Sequence, residues 1–378
     1  MKKKELGVYI HIPFCKKKCY YCDFISFENK CDEIPQYIES LKEEIRKFDF
    51  SSYNVTSIYI GGGTPSYIDS KYIKYILDEL KTRVKFDDIE ITIEVNPGTV
   101  TEEKLKEYKE AGINRISIGL QSTNNKLLKE IGRIHTYEEF LEAYELVNKI
   151  GFNNINVDLM LALPGQTIQD LKESLDKIIN LNPNHISVYS LIVEEGTKIS
   201  KLLEEGKISL PEEEQERRMY WYVKDILELK GYNHYEVSNF SKKGKESRHN
   251  MNCWNQEEYI GFGVAAHSYI NNVRFSNTDN IQEYIKNIKE NNTENNITIE
   301  EEQTLEDKKK EFMMLGFRKI EGVDISRFKE KFVDNPLFLY REKLNKLAEE
   351  GLIEVDLNNI RLTNKGLDLA NLVFEEFI

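Results

Sequence analysis

Short runs rich in isoleucine and valine recur along the first half of the chain. These runs lie at 7–12, 57–60, 90–95, 115–120, 155–160 and 185–191. Their nearly continuous apolar character is typical of parallel strands that helices cover. Segments with apolar residues at i, i+3 and i+4 and charged outer faces separate the runs, among them 35–48, 70–83 and 167–180. The alternation predicts an α/β fold in which six βα units form a partial (βα)6 TIM-like barrel.

The regular alternation weakens after residue 191. Residues 211–230 predict one long helix, and 287–302 is crowded with Asn and Glu. We interpret 287–302 as a linker between a barrel domain with an extension, 1–286, and a small C-terminal domain, 303–378. That domain is predicted to contain helices at 304–317, 324–332 and 336–351, a hairpin at 352–362 and a final helix, an order typical of a winged-helix-like domain. Because it carries more acidic than basic residues, we expect a packing or partner module and not a DNA-binding domain.

Composition narrows the classes of function. A hydrophobic fraction of 40% predicts a folded protein and excludes extensive disorder. The net charge of −13 repels phosphate backbones, so we expect no nucleic-acid partner. No apolar run reaches the roughly 18 residues that cross a bilayer, and the short apolar stretch after the basic start lacks a signal peptide's cleavage site. We therefore expect a cytoplasmic protein with no transmembrane segment.

Three of the five cysteines lie close together, at Cys15, Cys19 and Cys22. This spacing allows one loop to wrap an iron–sulfur cluster, because cysteine thiolates are the ligands of such clusters. Three ligands on a four-iron cluster leave one iron open to a small molecule, as a catalytic metal keeps a free coordination position. The alternative is a zinc site completed by His11 or Cys31. Zinc sites usually pair two short Cys/His clusters, and no second cluster lies nearby, so the iron–sulfur cluster is favoured.

Further unusual residues fall at the ends of the predicted strands, where βα barrels carry their active sites. They are the run Gly61-Gly62-Gly63-Thr64-Pro65, Glu94 with Asn96-Pro97, Gln121, Asp158 and Tyr189. The glycines permit close approach of a ligand to the backbone, and a tight strand-to-helix turn is the less favoured alternative. Glu94 and Asp158 lie within apolar strands, where a carboxylate needs a ligand hydroxyl, an ammonium or a cation as its partner. The alternative is a buried ion pair to Arg115 or Arg133.

The CxxxCxxC loop after a first barrel strand resembles the signature of the radical S-adenosylmethionine (SAM) superfamily. The wider sequence YIHIPFC…C.YCDF resembles its branch of HemW haem chaperones and oxygen-independent coproporphyrinogen III oxidases. The resemblance implies a 4Fe–4S cluster on Cys15, Cys19 and Cys22, with SAM bound at the open iron and cleaved on reduction to a 5′-deoxyadenosyl radical. The residues that match the family's SAM contacts are Tyr9, Gly62, Gly63, Thr64, Glu94, Gln121, Arg133 and Asp158. Arg133 would take the ligand carboxylate, although a surface arginine is the alternative. Tyr21, between two cluster cysteines, either stacks near the site or packs as an ordinary aromatic.

Two features favour the HemW side of this branch. The oxidases carry a fourth cysteine two residues after the triad, where this chain has Phe24, and they carry a longer segment before the cluster. HemW proteins also carry a haem-associated HNxxYW motif, which His249-Asn250-Met251-Asn252-Cys253-Trp254 matches with Cys in place of Tyr. The match implies haem contact by His249 and Trp254; the alternative is a surface turn in which Trp254 anchors the core.

The resemblance thus implies a haem-binding protein that delivers haem to apo-haemoproteins, with a reductant protein as a further partner. The rival is an enzyme that converts coproporphyrinogen III to protoporphyrinogen IX by radical oxidative decarboxylation. A radical reaction on an unrelated substrate is a third, weaker interpretation. The oligomeric state is left open by the sequence.

Overall fold

The computed structural model describes residues 3–378. The strands are β1 (Lys4–Ile12), β2 (Phe14–Cys15), β3 (Phe27–Glu28), β4 (Tyr53–Gly62), β5 (Glu90–Val95), β6 (Arg115–Gln121), β7 (Ile155–Leu161), β8 (His185–Ser190), β9 (Asn233–Glu236), β10 (Asn239–Ser241), β11 (Glu258–Phe262), β12 (His267–Ile270), β13 (Val273–Asn277), β14 (Ile297–Glu302), β15 (Val323–Asp324), β16 (Ile353–Val355) and β17 (Asn359–Leu362). The helices are α1 (Ile34–Lys47), α2 (Ser70–Lys81), α3 (Glu102–Glu110), α4 (Asn125–Glu130), α5 (Tyr137–Ile150), α6 (Ile168–Leu181), α7 (Lys198–Glu204), α8 (Glu213–Leu229), α9 (Arg248–Trp254), α10 (Ile281–Lys289), α11 (Leu305–Gly316), α12 (Ile325–Phe332), α13 (Pro336–Leu339), α14 (Arg341–Glu349), α15 (Asn364–Asp368) and α16 (Ala370–Glu375).

Six parallel strands form the barrel wall in the order β1, β4, β5, β6, β7 and β8, and at least one helix follows each of them. The predicted partial (βα)6 barrel is therefore confirmed. We call the edge at the carboxyl ends of these strands the upper end and the opposite edge the lower end. In strands, successive side chains point to opposite faces, and here the two faces differ. The isoleucines and valines join the helices in one hydrophobic core.

The alternate positions of the same strands point into the barrel, and most of them are polar. They include Tyr59, Thr92, Glu94, Arg115, Ser117, Asn156, Asp158 and His185. The runs that we interpreted as nearly continuous in apolar character are thus alternating strands with a polar inner face. A polar barrel interior has room for hydrogen-bonding groups beneath the upper end, where a packed barrel would have branched aliphatic side chains.

Helix ends follow local rules of the sequence. At the start of α6, Asp170 N donates to Thr167 Oγ1 at 3.2 Å and Thr167 N donates to Asp170 Oδ2 at 2.9 Å. This reciprocal pair satisfies two backbone donors that the helix leaves free. α5 begins with the same arrangement, and its last residue is followed by Gly151, whose φ of 85° favours glycine. Such caps fix where each helix leaves the sheet.

The sheet continues beyond the barrel on both sides. Among the described residues, β11 to β14 extend it from β1, and β10 and β9 extend it from β8, to give twelve strands in all. Residues 287–302, which we predicted as a linker, contain the end of α10, a 3₁₀ turn and β14, and β14 pairs with β13. This segment is an edge of the sheet. Every residue of β14 is exposed, and this exposure accounts for its polar, linker-like composition.

The C-terminal part has its own hydrophobic core, built from Phe312, Phe317, Phe328, Tyr340, Leu344, Ile360 and their neighbours. Its helices α11 to α14 precede the hairpin of β16 and β17, which is the predicted winged-helix-like order. The predicted helix at 336–351 is two helices, which are separated at Tyr340. Nowhere in residues 3–378 does a helix combine the length and apolar character needed to cross a membrane.

Candidate functional site

The three cysteines lie on one closed loop at the upper end of the barrel. The loop leaves β2 and returns in β3, and these two short strands pair in parallel, with Phe27 N donating to Pro13 O at 2.7 Å. Tyr20, in the middle of the loop, donates its N–H to Ile131 O at 2.9 Å and accepts from Ile199 N at 2.8 Å. The loop is therefore fixed to the segments that follow β6 and β8.

A cavity at the upper end brings most of the predicted site residues together. Those that line it are Cys15, Cys19, Cys22, Tyr21, Gly62, Gly63, Thr64, Glu94, Gln121, Arg133 and Asp158. They come from β2 and its loop, from β4 to β7 and from the segments between them. One space thus holds three thiols, two carboxyl groups and a guanidinium.

The glycine run lies directly against the cysteine loop. Gly63 N donates to Ile12 O at 2.9 Å, and Thr64 N donates to Phe14 O at 3.0 Å. A Cβ atom at Gly63 would lie 2.9 Å from Cys15 Sγ, closer than such contacts permit. Gly62 has a φ of 112°, which only glycine adopts easily. Glycine is therefore required here by the approach of two loops as well as by a turn.

Arg133 is held at the edge of the cavity by neighbours from two strands. Its Nη2 donates to Asn96 Oδ1 at 2.8 Å and also to Gly119 O, and its Nη1 lies 3.6 Å from Cys19 Sγ. Asn96 Nδ2 in turn donates to Thr64 Oγ1 at 3.0 Å. Within the part of the chain that the structure describes, the buried Nε of Arg133 has no hydrogen-bond partner. The guanidinium is thus fixed beside the thiols, and its Nε remains available to donate a hydrogen bond.

Glu94 and Asp158 have neutral partners rather than arginines. Glu94 Oε1 accepts a hydrogen bond from the Tyr59 hydroxyl at 2.7 Å, and Asp158 Oδ1 accepts one from Asn156 Nδ2 at 2.7 Å. Burial, together with the negative charge of Asp158, raises the pKa of Glu94 to about 7. Burial also raises the pKa of Asp158. These carboxyl groups are desolvated, which is typical of groups that meet a ligand.

Gln121 sits at an irregularity of β6, where the pairing with β7 shifts between Gly119 and Gln121. Its φ of 72° is unfavourable for a residue with a side chain and costs on the order of 1 kcal/mol. Its Oε1 accepts from the Tyr189 hydroxyl at 3.0 Å. The bulge therefore directs the Gln121 amide towards the cavity, where strained backbone is common.

Tyr9 was predicted as a SAM contact, but it does not line the cavity. It lies one pleat lower on β1 than His11, and its hydroxyl donates to His11 Nδ1 at 3.0 Å. His11 Nε2 bonds Ile25 O at 2.8 Å, so both ring nitrogens of this histidine are engaged. A side chain at Tyr9 is therefore separated from the upper end by the next inward position of its strand.

The zinc alternative fails on geometry. His11 uses both ring nitrogens within the fold, and the exposed Cys31 lies 3.1 Å from the Tyr67 hydroxyl, so neither joins the three cysteines at the cavity. In residues 3–378, no three His, Cys, Asp or Glu side chains converge on a position for a single ion. The thiolates of a cluster bind different irons and have no need to converge on one point.

The HNxxYW-like segment forms α9 at the lower end, away from the cavity. His249 Nδ1 lies 3.2 Å from Ser57 Oγ, and its ring stacks on Tyr59 with centroids 5.1 Å apart. Burial and the positive charge of Arg115 lower the pKa of His249 to about 4, so its ring is neutral at pH 7. Trp254 instead packs under the C-terminal domain, with the Arg318 guanidinium 4.3 Å from its ring centre. The two predicted haem contacts thus lie in different environments.

Some residues of the site were missed from sequence. Asn96 was noted only as a strand end, yet it joins Arg133 to the glycine run. Tyr59 and Asn156 hold the two carboxyl groups and were not noted at all. The strict alternation of Ser57-Ile-Tyr-Ile and Asn156-Val-Asp-Leu places both in the inward set and could have identified them.

Comparison with known proteins identifies the family of the chain. The model of the radical SAM superfamily matches residues 9–178, and the model of the HemN C-terminal domain matches 303–369. The haem chaperone HemW of Lactococcus lactis is 38% identical over 379 residues, which cover 100% of this chain and 98% of that protein. The haem chaperone HemW of Bacillus subtilis is 39% identical over 376 residues, covering 98% and 99%. The chain belongs to the HemW family.

A solved structure is similar to this HemW family member over nearly its whole length. The coproporphyrinogen III oxidase HemN of Escherichia coli, a radical SAM enzyme, has a TM-score of 0.86 at 25% identity and covers 99% of this chain and 90% of that one. The α/β radical SAM fold with a HemN-type C-terminal domain is thus confirmed. Membership of the superfamily implies a 4Fe–4S cluster and SAM.

The residues at the upper end of this HemW family member fit those two groups. Three thiols on one fixed loop are the donor set that a cluster with an open iron needs. Arg133 lines the cavity, its buried Nε has no hydrogen-bond partner among the described residues, and a ligand carboxylate is the kind of acceptor that a guanidinium binds.

Proposed function

We propose that this protein binds a 4Fe–4S cluster and SAM at the upper end of its barrel and carries haem for delivery to apo-haemoproteins. The observation that carries the proposal is the cavity in which Cys15, Cys19 and Cys22 face Arg133 and Glu94. The haem chaperone name of the full-length relatives supports the haem part.

Each residue of the cavity has a definite task in this proposal. The cysteines hold three irons, and the cluster, when bound, supplies the electron for cleavage of SAM. Arg133, fixed by Asn96 and by Gly119 O, receives the amino-acid carboxylate. Glu94 keeps one oxygen on Tyr59 and offers the other to a hydroxyl or ammonium group of the ligand. Asp158, Gln121 and the glycine run complete the contacts, and Tyr21 closes the cavity beside Cys19.

His249 is the proposed haem ligand. Because its Nδ1 bonds Ser57, iron would bind at Nε2 of a neutral ring. Trp254, which we predicted to flank haem, is better described as the anchor of the C-terminal domain through Arg318. A haem at His249 would therefore lie against α9 and the lower end of the barrel.

Haem titration of the reconstituted protein tests this assignment. We expect His249→Ala to lose the ligand-dependent change in the Soret absorption and to bind haem at least tenfold more weakly. His267→Ala, which removes a largely exposed imidazole from β12, is the matched control and should bind like the wild type. Equal affinity of the His249→Ala variant and the wild type would remove His249 as the ligand.

Oxidation of coproporphyrinogen III is the second candidate, because the likeness to HemN covers nearly the whole chain. The reconstituted protein should be given SAM, a reductant and coproporphyrinogen III without oxygen, and protoporphyrinogen IX should be measured. Multiple turnovers would make the protein an oxidase, even though the exposed Phe24 stands where the oxidases carry a cysteine. If a protein with an intact cluster forms no product, the oxidase function is excluded and haem delivery remains the proposed function.

Partners follow from the same proposal. A reductant protein is needed for the cluster, and an apo-haemoprotein is needed as recipient. We predict a location in the reducing cytoplasm, because the proposal needs Cys15, Cys19 and Cys22 as thiolate ligands and not as partners in disulfides.

A further inference from the structure

One side chain touches a residue of each proposed site. The Tyr59 hydroxyl donates to Glu94 Oε1, which lines the upper cavity, at 2.7 Å. The Tyr59 ring stacks on the His249 ring, with centroids 5.1 Å apart and planes 28° apart. Tyr59 lies in β4 between Tyr9 of β1 and Thr92 of β5, so it belongs to one inward layer of the barrel. This layer separates the cavity from α9.

The contacts of Tyr59 are not those of a simple filler. A desolvated carboxyl group such as Glu94 needs a donor, and the Tyr59 hydroxyl provides it. His249 has aromatic rings on its barrel side, Tyr59 and then Tyr9, whose centroid is 6.4 Å away. The Tyr9 and Tyr59 rings also stack on each other at 6.3 Å. A shift of the Tyr59 ring therefore changes the positions of both the Glu94 carboxyl group and the His249 ring.

We propose that Tyr59 is a positioning residue shared by the two sites, through which SAM in the upper cavity and haem at His249 change each other's affinity. This inference rests on the proposed function. A ligand that engages Glu94 moves the acceptor of the Tyr59 hydroxyl, and the ring transmits that movement to the stacked imidazole. The coupling is reciprocal by linkage, so haem must alter SAM affinity by the same factor.

Two variants separate the two contacts of Tyr59. Tyr59→Phe removes the hydroxyl and keeps the stack, whereas Tyr59→Leu removes both. Tyr144→Phe is the matched control, because it removes a buried hydroxyl that donates to Leu181 O at 2.9 Å on the outer helix α5. Iron content and circular dichroism of each reconstituted protein establish that cluster and fold are present.

The measurement is the dissociation constant of SAM with and without ferric haem, and that of ferric haem with and without SAM, under anaerobic conditions. The wild type should show a different SAM affinity when haem is bound. Tyr59→Phe should weaken SAM roughly tenfold, the scale of one hydrogen bond to a charged group, and should abolish the mutual effect. Tyr59→Leu should also weaken haem. Tyr144→Phe should behave like the wild type.

The outcomes separate this inference from the proposed function. If the wild type binds no haem, the haem function fails and the shared role of Tyr59 falls with it, while the SAM affinity of Tyr59→Phe still decides whether Tyr59 positions Glu94. If the wild type binds both ligands without mutual effect, or if Tyr59→Phe keeps both the SAM affinity and the mutual effect, the shared role of Tyr59 is overturned.

Discussion

Replacement of Glu94 by glutamine should stabilise the protein without ligand, and the gain should grow with pH. The folded protein holds the pKa of Glu94 at about 7, because burial and the charge of Asp158 disfavour the ionised form. An unfolded chain has the ordinary pKa of 4.5. As pH rises from 4.5 to 7, the unfolded state therefore ionises before the folded state does, and stability is lost. Glutamine does not ionise, and its amide oxygen can still accept the Tyr59 hydrogen bond.

The size of the effect follows from the two pKa values. The destabilisation by Glu94 is about 1 kcal/mol at pH 5 and levels off at about 3 kcal/mol above pH 7. Urea unfolding of the wild type and of Glu94→Gln at pH 5, 6, 7 and 8 measures this difference in the free energy of unfolding. The Glu103→Gln variant, at an exposed position of α3, is the control for the general effect of replacing a carboxyl group by an amide. A gain that is constant with pH, or a loss at pH 8, would refute the reasoning.

Three further perturbations probe the upper cavity and the domain contact. Gly63→Ala places a Cβ atom 2.9 Å from Cys15 Sγ, so the iron and sulfide content after reconstitution should fall clearly below that of the wild type. Arg133→Lys should weaken SAM by roughly tenfold or more in equilibrium dialysis, because one ammonium cannot replace Nη2, which donates to Asn96 Oδ1 and Gly119 O, and also offer further donors to the ligand carboxylate. Trp254→Leu removes the ring beneath Arg318, so limited proteolysis should release the C-terminal domain faster than in the wild type. Unchanged cluster content, SAM affinity or cleavage rate, respectively, would contradict each expectation.

Much of the barrel could be predicted from the spacing of isoleucine and valine. The predicted strand at 90–95 coincides with β5, and the other barrel strands differ from prediction by a few residues at their ends. Such strands are specified locally, because their apolar positions have to meet the amphipathic helices on either side of them in the chain. The cysteine site could also be predicted from the sequence, because its three cysteines come from one short loop.

What could not be predicted depends on neighbours that are distant in sequence. Trp254 meets Arg318 only after the C-terminal domain docks, and Tyr9 is excluded from the cavity by its height on β1. The exposed β14 has the composition of a linker because an edge strand needs little apolar surface. The polar interior was in the sequence, in alternations such as Glu90-Ile-Thr-Ile-Glu94-Val. Parallel strands are usually apolar on both faces, so these runs were interpreted as continuously apolar and their alternation was overlooked.

The attachment of Tyr20 bears on how the cysteine loop receives its cluster. The bonds from Tyr20 to Ile131 and Ile199 use backbone atoms and involve none of the three thiols. These bonds hold the middle of the loop in place independently of iron, so little conformational entropy is lost when a cluster binds.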